Sequence, residues 1–423
     1  MVNAYSLLYS FLDSSKSAYH TVENLKSRLD AEGFVRLYEN EKWDLREGGK
    51  YFVIRDGSSL IAFVNRGGAF MICASHSDSP SFRVKSDSES GAYLKLDTEK
   101  YGGMIYYSWL DRPLAIAGRA VIKTADGVES KLFTLDKEVI IPSLAIHMNR
   151  TVNESCKLNP AQDLIPLAAV GSSKGALLSA IADKLAVKCE DIIAHESFLS
   201  AADKPRSVGF SDEMVLAPRL DDLGCVYSSL EGFLAAKETD STPVLAVYDN
   251  EEVGSETKQG AASTFLYDTL KRICSNESDF LSRVATSFMV SADNAHALHP
   301  NHPEMADRAN APILGNGIVI KYNANQRYAT DALSDGIFRS ICERVGVKVQ
   351  SYFNRADLPG GSTLGSISDT KVSVPTVDIG IPQLAMHSAN ESCALADIDE
   401  MIKALTAFYS TSIEISGESV KIK

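Results

Sequence analysis

The chain has no Cys-x-x-Cys pair. Its seven cysteines (Cys73, Cys156, Cys189, Cys225, Cys274, Cys342 and Cys393) are odd in number and widely scattered, so neither a disulfide framework nor a thiolate zinc cluster is readable, and a reducing compartment fits best. No apolar run approaches the roughly 18 residues that a membrane-spanning helix needs. The stretch from Tyr5 to Leu12 is apolar but short, lacks a basic leader and meets Asp13 at once; it reads as the first turns of a helix rather than a signal peptide. Basic excess is also missing. Lys and Arg number 42 against 55 Asp and Glu, a net charge of −13, which leaves no electrostatic footprint for nucleic acid or an anionic membrane. Internal repeats and low-complexity segments are absent too. The expectation is a soluble, cytoplasmic protein.

What is there is an ordinary globular composition, 45% hydrophobic and 23% charged, in a chain longer than the roughly 250–300 residues at which single cores stop growing. Leu7, Leu8, Phe11 and Leu12, then Val22, Leu25 and Leu29, fall at helical spacing. Short apolar runs follow at Tyr51–Ile54, Leu60–Val64 and Ala69–Ala74. From Tyr93 the texture turns β-rich: Leu114–Ile122 and Val128–Leu135 flank Asp126-Gly127, a hairpin signal, before a helix over Lys174–Val187. After Met214 strands and helices alternate, with strands expected at Val244–Tyr248, Val284–Val290, Ile318–Tyr322, Val347–Tyr352 and Val377–Ile379. That rhythm predicts an α/β domain whose mostly parallel sheet is covered by helices. The simplest partition is one α/β domain made of residues 1–86 and 214–423, with a β-rich domain inserted at 87–213.

The positions of the His, Asp and Glu residues carry the chemistry. His76 follows the run ending Cys73-Ala74, Glu251 and Glu252 follow Val244–Tyr248, Asp293 follows Phe288-Met289-Val290, and His387 follows Leu384-Ala385-Met386. Asp221 lies between Met214–Ala217 and the helix starting near Leu223. Strand C-termini are where open α/β sheets build their sites. A lone histidine after a strand is usually structural, and adjacent glutamates are usually a solvated turn; five such positions respecting strand ends are not so explained. In His76-Ser77-Asp78, alternate residues project the same way, so Asp78 can hold one imidazole nitrogen while the other binds metal. Two divalent cations roughly 3.5–4 Å apart need a bridging carboxylate with further N/O ligands. Asp221 can bridge, with His76 and Asp293 completing one ion and Glu252 and His387 the other. Two such ions, three carboxylates and a bridging hydroxide sum to zero charge. Glu251, left without a metal, becomes the natural general base.

The segments His76-Ser77-Asp78-Ser79-Pro80, Arg219-Leu220-Asp221-Asp222, Asn250 to Ser255, Ser291 to His296 and Met386-His387-Ser388, together with Ile141 to His147 and Lys321 to Thr330, resemble the aspartyl aminopeptidase family of co-catalytic di-zinc metallopeptidases. The likeness covers essentially the whole chain. It implies zinc ligands at His76, Asp221, Glu252, Asp293 and His387, a base at Glu251, and a cis peptide after Asp221. It further implies an inserted dimerisation and lid domain, dimers assembling into a dodecamer, and peptide substrates that begin with Asp or Glu. Mn²⁺ or Co²⁺ can occupy the same N/O ligands as zinc.

Four features carry two readings each. His147 is either a hydrogen-bonded core histidine or, as the resemblance implies, a group that reaches a neighbouring subunit's site to steady the developing oxyanion. Lys321 is either a lysine on a solvated strand end or the cation that reads an acidic substrate side chain, with Arg327 in reserve. His296, His299 and His302 line the pocket rather than ligate, and Leu358 to Thr363 lacks the Gly-Lys-Ser/Thr ending of a phosphate cradle and reads as a turn or substrate-backbone contact. The expected activity is a metallo-aminopeptidase removing N-terminal Asp or Glu. The rivals are a related di-zinc aminopeptidase of broad or neutral specificity and a non-catalytic shell protein of the same fold; an intact Glu251 argues against the last.

Overall fold

The computed structural model describes residues 5–171, 174–416 and 419–423. A nine-stranded mixed sheet forms its centre. Four neighbouring strands in the middle, Thr242–Tyr248, Phe70–His76, Phe288–Ala292 and Thr376–Gly380, all run parallel, so their C-terminal ends share one edge. Flanking them, Ser59–Val64 and Lys50–Arg55 form an antiparallel pair on one side, and Ile318–Tyr322 lies antiparallel to Thr376–Gly380 on the other. Side chains alternate across the sheet. Leu60 and Ala62 enter the core under the helices Ser6–Ser14, Ala18–Ala31, Leu220–Leu234, Ala332–Val345 and Leu395–Tyr409. Ile61 and Phe63 enter the opposite core, with Phe265–Ile273 and Glu277–Val284. Both faces are thus covered, as the alternation of strands and helices implies.

The helix Leu220–Leu234 is buried on nearly every side rather than along one stripe. Gly232 makes this feasible: a Cβ there would sit 2.8 Å from Leu405 Cβ, so only glycine lets this helix approach Leu395–Tyr409 so closely. The strand expected at Val284–Val290 begins at Phe288 instead. Val284 closes the helix Glu277–Val284, whose start is fixed by Asn276 accepting from the Asp279 backbone N–H; this is an Asn N-cap that the apolar run masked.

The β-rich segment closes into a six-stranded barrel, Ser81–Ser90, Tyr93–Tyr101, Pro113–Thr124, Gly127–Ile140, Leu167–Val170 and Ile192–Ala201. Its hairpin pairs Thr124 with Gly127. The first barrel strand opens before residue 87 and the last closes before residue 213. A further five-stranded sheet includes Met214–Ala217, Pro382–Leu384 and Glu391–Ala394. Among the described residues no helix is long and apolar enough to cross a membrane.

Candidate metal centre

Three of the five expected ligands stand on the shared edge of the parallel strands. His76 is the last residue of Phe70–His76, Asp293 follows Phe288–Ala292, and Glu252 lies in the turn after Thr242–Tyr248. The other two do not come from that sheet. Asp221 and His387 follow Met214–Ala217 and Pro382–Leu384 of the five-stranded sheet, so the single-sheet picture is corrected to two sheet edges facing each other. Glu391 ties the second pair together: Oε2 accepts from the Asp221 backbone N–H at 2.9 Å and Oε1 from that of His387 at 2.6 Å. Glu391 lies opposite Ala217 in the strand register, a pairing that sequence spacing does not reveal.

Asp221 sits at the middle. Its Oδ1 is 3.7 Å from His76 Nε2, which lies 3.9 Å from Asp293 Oδ1. Its Oδ2 is 3.3 Å from His387 Nε2, which lies 3.5 Å from Glu252 Oε2. One carboxylate thus faces two His–carboxylate pairs, the division expected of a bridging ligand. Asp221 Oδ1 and Glu252 Oε1 are buried without a hydrogen-bond partner. Buried carboxylate oxygens left unpaired are costly, and a divalent cation removes that cost. The N/O donor set fits zinc. Glu251 also lies within ligating reach of His76 and Glu252, and Asp222 of the His76 cluster; Asp222 Oδ2 accepts from the His76 backbone N–H, while its Oδ1 is buried and open like that of Asp221. The Asp221–Asp222 peptide is cis.

Both imidazoles are oriented from behind. His76 Nδ1 donates to the Asp78 carbonyl at 3.1 Å, with the Asp78 carboxylate at 3.3 Å, so the main chain of Asp78 shares the role expected of its side chain. That carboxylate also accepts from the backbone N–H groups of Glu251 and Glu252, each at 3.2 Å, and from the Tyr101 hydroxyl at 2.6 Å. His387 Nδ1 donates to the Gly103 carbonyl at 2.6 Å. With Nδ1 carrying the proton, each Nε2 presents its lone pair to the cluster. Tyr101 and Gly103 belong to the barrel's Tyr101–Ile105 segment, and Gly102 between them would place a Cβ 3.1 Å from that of Glu252. The barrel and the segment that follows its Tyr93–Tyr101 strand therefore complete the support of the candidate centre, which no motif in the sequence announces.

A pocket of about 280 Å³ opens onto the cluster and is lined by His76, Asp221, Glu251, Asp293, Lys321 and His387, among others. Lys321 is 2% exposed. It donates to the Asp293 carbonyl at 2.7 Å and lies 3.6 Å from Asp293 Oδ2. Burial opposes its charge, but its neighbours, Asp293 first and then Tyr328 and Asp378, together outweigh burial and raise the ammonium pKa; in return Asp293, despite burial, is held down to about 2. The strand of Lys321 is antiparallel to Thr376–Gly380, so Lys321 does not reach the pocket by the strand C-terminal rule that places His76 and Asp293. Arg327 is exposed and outside the pocket. His296 lines the pocket, whereas His299 and His302 line a neighbouring one. Gly361, Ser362 and Thr363 contribute to the wall. His147 is neither core nor pocket: it is exposed in a turn beyond the barrel strand Gly127–Ile140, beside exposed Leu144, Ile146 and Met148.

Without a bound cation, burial pushes the Glu251 carboxyl up to about 8, helped by the charges of Asp293, Asp78 and Asp221. Glu391 rises to about 8 through burial and Asp221. His387 rises to about 10 because its carboxylate neighbours, Asp221 first, overcome burial. These shifts share a sign. Between about pH 4.5 and 8 the folded glutamates keep protons that the unfolded chain has lost, and the stability gained from charged His387 drains away between its ordinary pKa and about 10, so the metal-free fold weakens as pH rises. Metal binding needs deprotonated ligands and strengthens in the same direction. Chelation is thus expected to lower Tm by only a few degrees at pH 5 and by clearly more at pH 8; parallel thermal-melt curves across that range would contradict the coupling.

The family model described as aminopeptidase I zinc metalloprotease (M18) matches residues 11–409. A probable M18 family aminopeptidase 2 of Clostridium acetobutylicum is 42% identical over 422 residues, covering 95% of this chain and 98% of the relative. Among solved structures, the complex of Ape4 with Nbr1 contains a chain that superposes with a TM-score of 0.92 at 35% identity, covering 95% of this chain and 84% of that one. The S. cerevisiae mApe1 dodecamer gives 0.85 at 26% identity, with 96% of each chain covered.

Proposed function

The chain belongs to the M18 family of zinc aminopeptidases, and on that premise we propose that it removes N-terminal Asp or Glu from peptides at a two-zinc centre. The observation that carries the reading is Asp221 set between two His–carboxylate pairs in a pocket whose only Lys or Arg among the described residues is Lys321. His76, Asp293 and Asp221 would hold one ion, and Glu252, His387 and Asp221 the other. Zinc bound by these donors supplies Lewis-acid polarisation of the scissile carbonyl and acidifies water.

The remaining chemistry belongs to the chain. Among the described residues the Glu251 side chain makes no hydrogen bond, so its carboxylate is free to take a proton from the attacking water and pass it to the leaving amine. Asp78 fixes His76 and the turn bearing Glu251 and Glu252. Lys321 faces the first side chain of the peptide. Mn²⁺ or Co²⁺ can serve in place of zinc, and a broad or neutral specificity is the competing reading. Release of the N-terminal residue from a peptide panel, with and without chelator, tests both. Acidic first residues should turn over fastest and all release should stop without metal; equal rates across the panel would replace the acidic preference by the broad one.

The barrel, residues 87–213 in the partition above, acts in this reading as a dimerisation and lid domain, and the dimers build a dodecamer. The exposed Leu144, Ile146 and Met148 around His147 support it, since clustered exposed apolar side chains mark interaction surfaces; packed against a second subunit they would carry His147 toward that subunit's metals. Light scattering at micromolar protein should give a mass far above the monomer, and a monomer would refute the assembly.

A further inference from the structure

The barrel docks on the α/β layer through ties of its own. Arg119 donates to the Asp56 carbonyl at 2.8 Å and to Glu196 at 2.6 Å, and the Tyr19 hydroxyl donates to Glu196 at 2.8 Å. Tyr101, the last residue of the barrel strand Tyr93–Tyr101, directs its hydroxyl elsewhere. It donates to Asp78 Oδ2 at 2.6 Å and accepts from Asn250 Nδ2 at 2.8 Å. These two partners stand just past the ends of neighbouring parallel strands, Phe70–His76 and Thr242–Tyr248, whose backbone contact runs as far as the Ser77 N–H on the Tyr248 carbonyl at 2.7 Å. Past that point side chains join the two segments, and the Tyr101 hydroxyl sits between them.

The turn that bears Glu251 and Glu252 hangs from the same two residues. Asn250, in the left-handed region at φ 64°, directly precedes Glu251, and its carbonyl accepts from the Ser255 N–H at 2.8 Å to close the turn. The Asp78 carboxylate accepts from the Glu251 and Glu252 N–H groups, each at 3.2 Å. Those two bonds lie at the long end of the roughly 2.7–3.2 Å range for N–H donors. The tyrosine bond is short and charge-assisted, so Tyr101 is the firmest hold on that carboxylate. A hydroxyl has one proton to give; this one goes to Asp78 while the oxygen holds Asn250. We propose that Tyr101 is a positioning residue for hydrolysis: from the inserted barrel, within one subunit, its hydroxyl locks Asp78 to Asn250 and so aims the Glu251 carboxylate. This rests on the reading of Glu251 as the base. Aim matters because a misplacement of about 1 Å can cost about 10²-fold in rate.

Tyr101→Phe removes the hydroxyl and keeps the ring, which packs edge-on against Phe198. In the zinc-loaded enzyme kcat should fall about tenfold to a hundredfold, the usual cost of losing a group that supports a metal site from behind. Zinc content should stay full and KM should stay within about twofold, because the peptide's own contacts are untouched. Phe133→Leu, in the barrel core, loosens the barrel but takes no part in these hydrogen bonds; it should lower Tm and leave kcat unchanged. Added to Glu251→Gln, Tyr101→Phe should slow turnover little further, since residues that act as a unit are not additive. An unchanged kcat in Tyr101→Phe overturns the proposal. So does a loss that only tracks zinc lost, an equal loss in Phe133→Leu, or full multiplication of the two effects in the double variant. Turnover that survives Glu251→Gln alone removes the base and with it the target of Tyr101; turnover lost in Glu251→Gln but kept in Tyr101→Phe removes the positioning role alone.

Discussion

Glu251→Gln should leave the fold and the metal content of the enzyme unchanged while kcat falls roughly 10²–10⁴-fold, the usual contribution of a positioned general base. The amide is nearly isosteric with the acid but cannot accept the proton. Two roles are geometrically open to Glu251, because its carboxylate lies both free of hydrogen bonds in the pocket and within ligating reach of His76 and Glu252. The variant separates them. A ligand role predicts that zinc is lost along with activity, and metal analysis of the purified variant would detect this. A base role predicts full occupancy with turnover gone, and KM close to that of the parent because binding of the peptide does not use the lost proton acceptor. Near-normal kcat at full occupancy would remove Glu251 from both roles and leave the proton transfer to another group.

How far the sequence predicts this site depends on which residues act through their own side chains along the chain and which act across it. The candidate ligands are legible because a strand end is a local signal: His76, Glu252 and Asp293 each follow or end an apolar run, and those runs are the parallel strands whose C-terminal ends share an edge. Asp221 and His387 also follow apolar runs, but those runs form a different sheet, and periodicity cannot say which sheet a short strand joins. What stayed hidden is the support. Glu391 reaches Asp221 across 170 residues of chain, and the Gly103 carbonyl reaches His387 across 284; the first contact exists only once the strand bearing Glu391 has paired with Met214–Ala217, and the second only once the barrel has docked on the α/β layer. Lys321 shows the opposite case: it lines the pocket although its strand, antiparallel to Thr376–Gly380, does not obey the strand-end rule.

Lys321→Met is expected to lower kcat/KM for peptides beginning with Asp or Glu by roughly tenfold to a hundredfold, the value of a desolvated charge-assisted contact of about 1.5–3 kcal/mol, and to leave neutral N-terminal residues little changed. An acidic preference would require a cation here. With two divalent ions, three carboxylates and hydroxide close to neutral, the cluster would offer little attraction to an additional carboxylate, and Glu251 and a chain charge of −13 would repel it. Among the described residues that line the pocket, Lys321 is the one Lys or Arg. An ammonium has three donors; one is engaged at 2.7 Å by the Asp293 carbonyl and a second, weakly, at 3.4 Å by that of Asn294, which leaves one for a substrate. Its proximity to Asp293 Oδ2 supports the competing role, in which Lys321 only keeps a zinc ligand ionised. Methionine keeps the stem and removes the charge, so the two roles diverge in the readout. A specificity role makes the ratio of acidic to neutral kcat/KM collapse at unchanged zinc content. A purely supporting role makes both classes of peptide decline together, with the metal more easily stripped by chelator, because an Asp293 freed from Lys321 competes for a proton at higher pH.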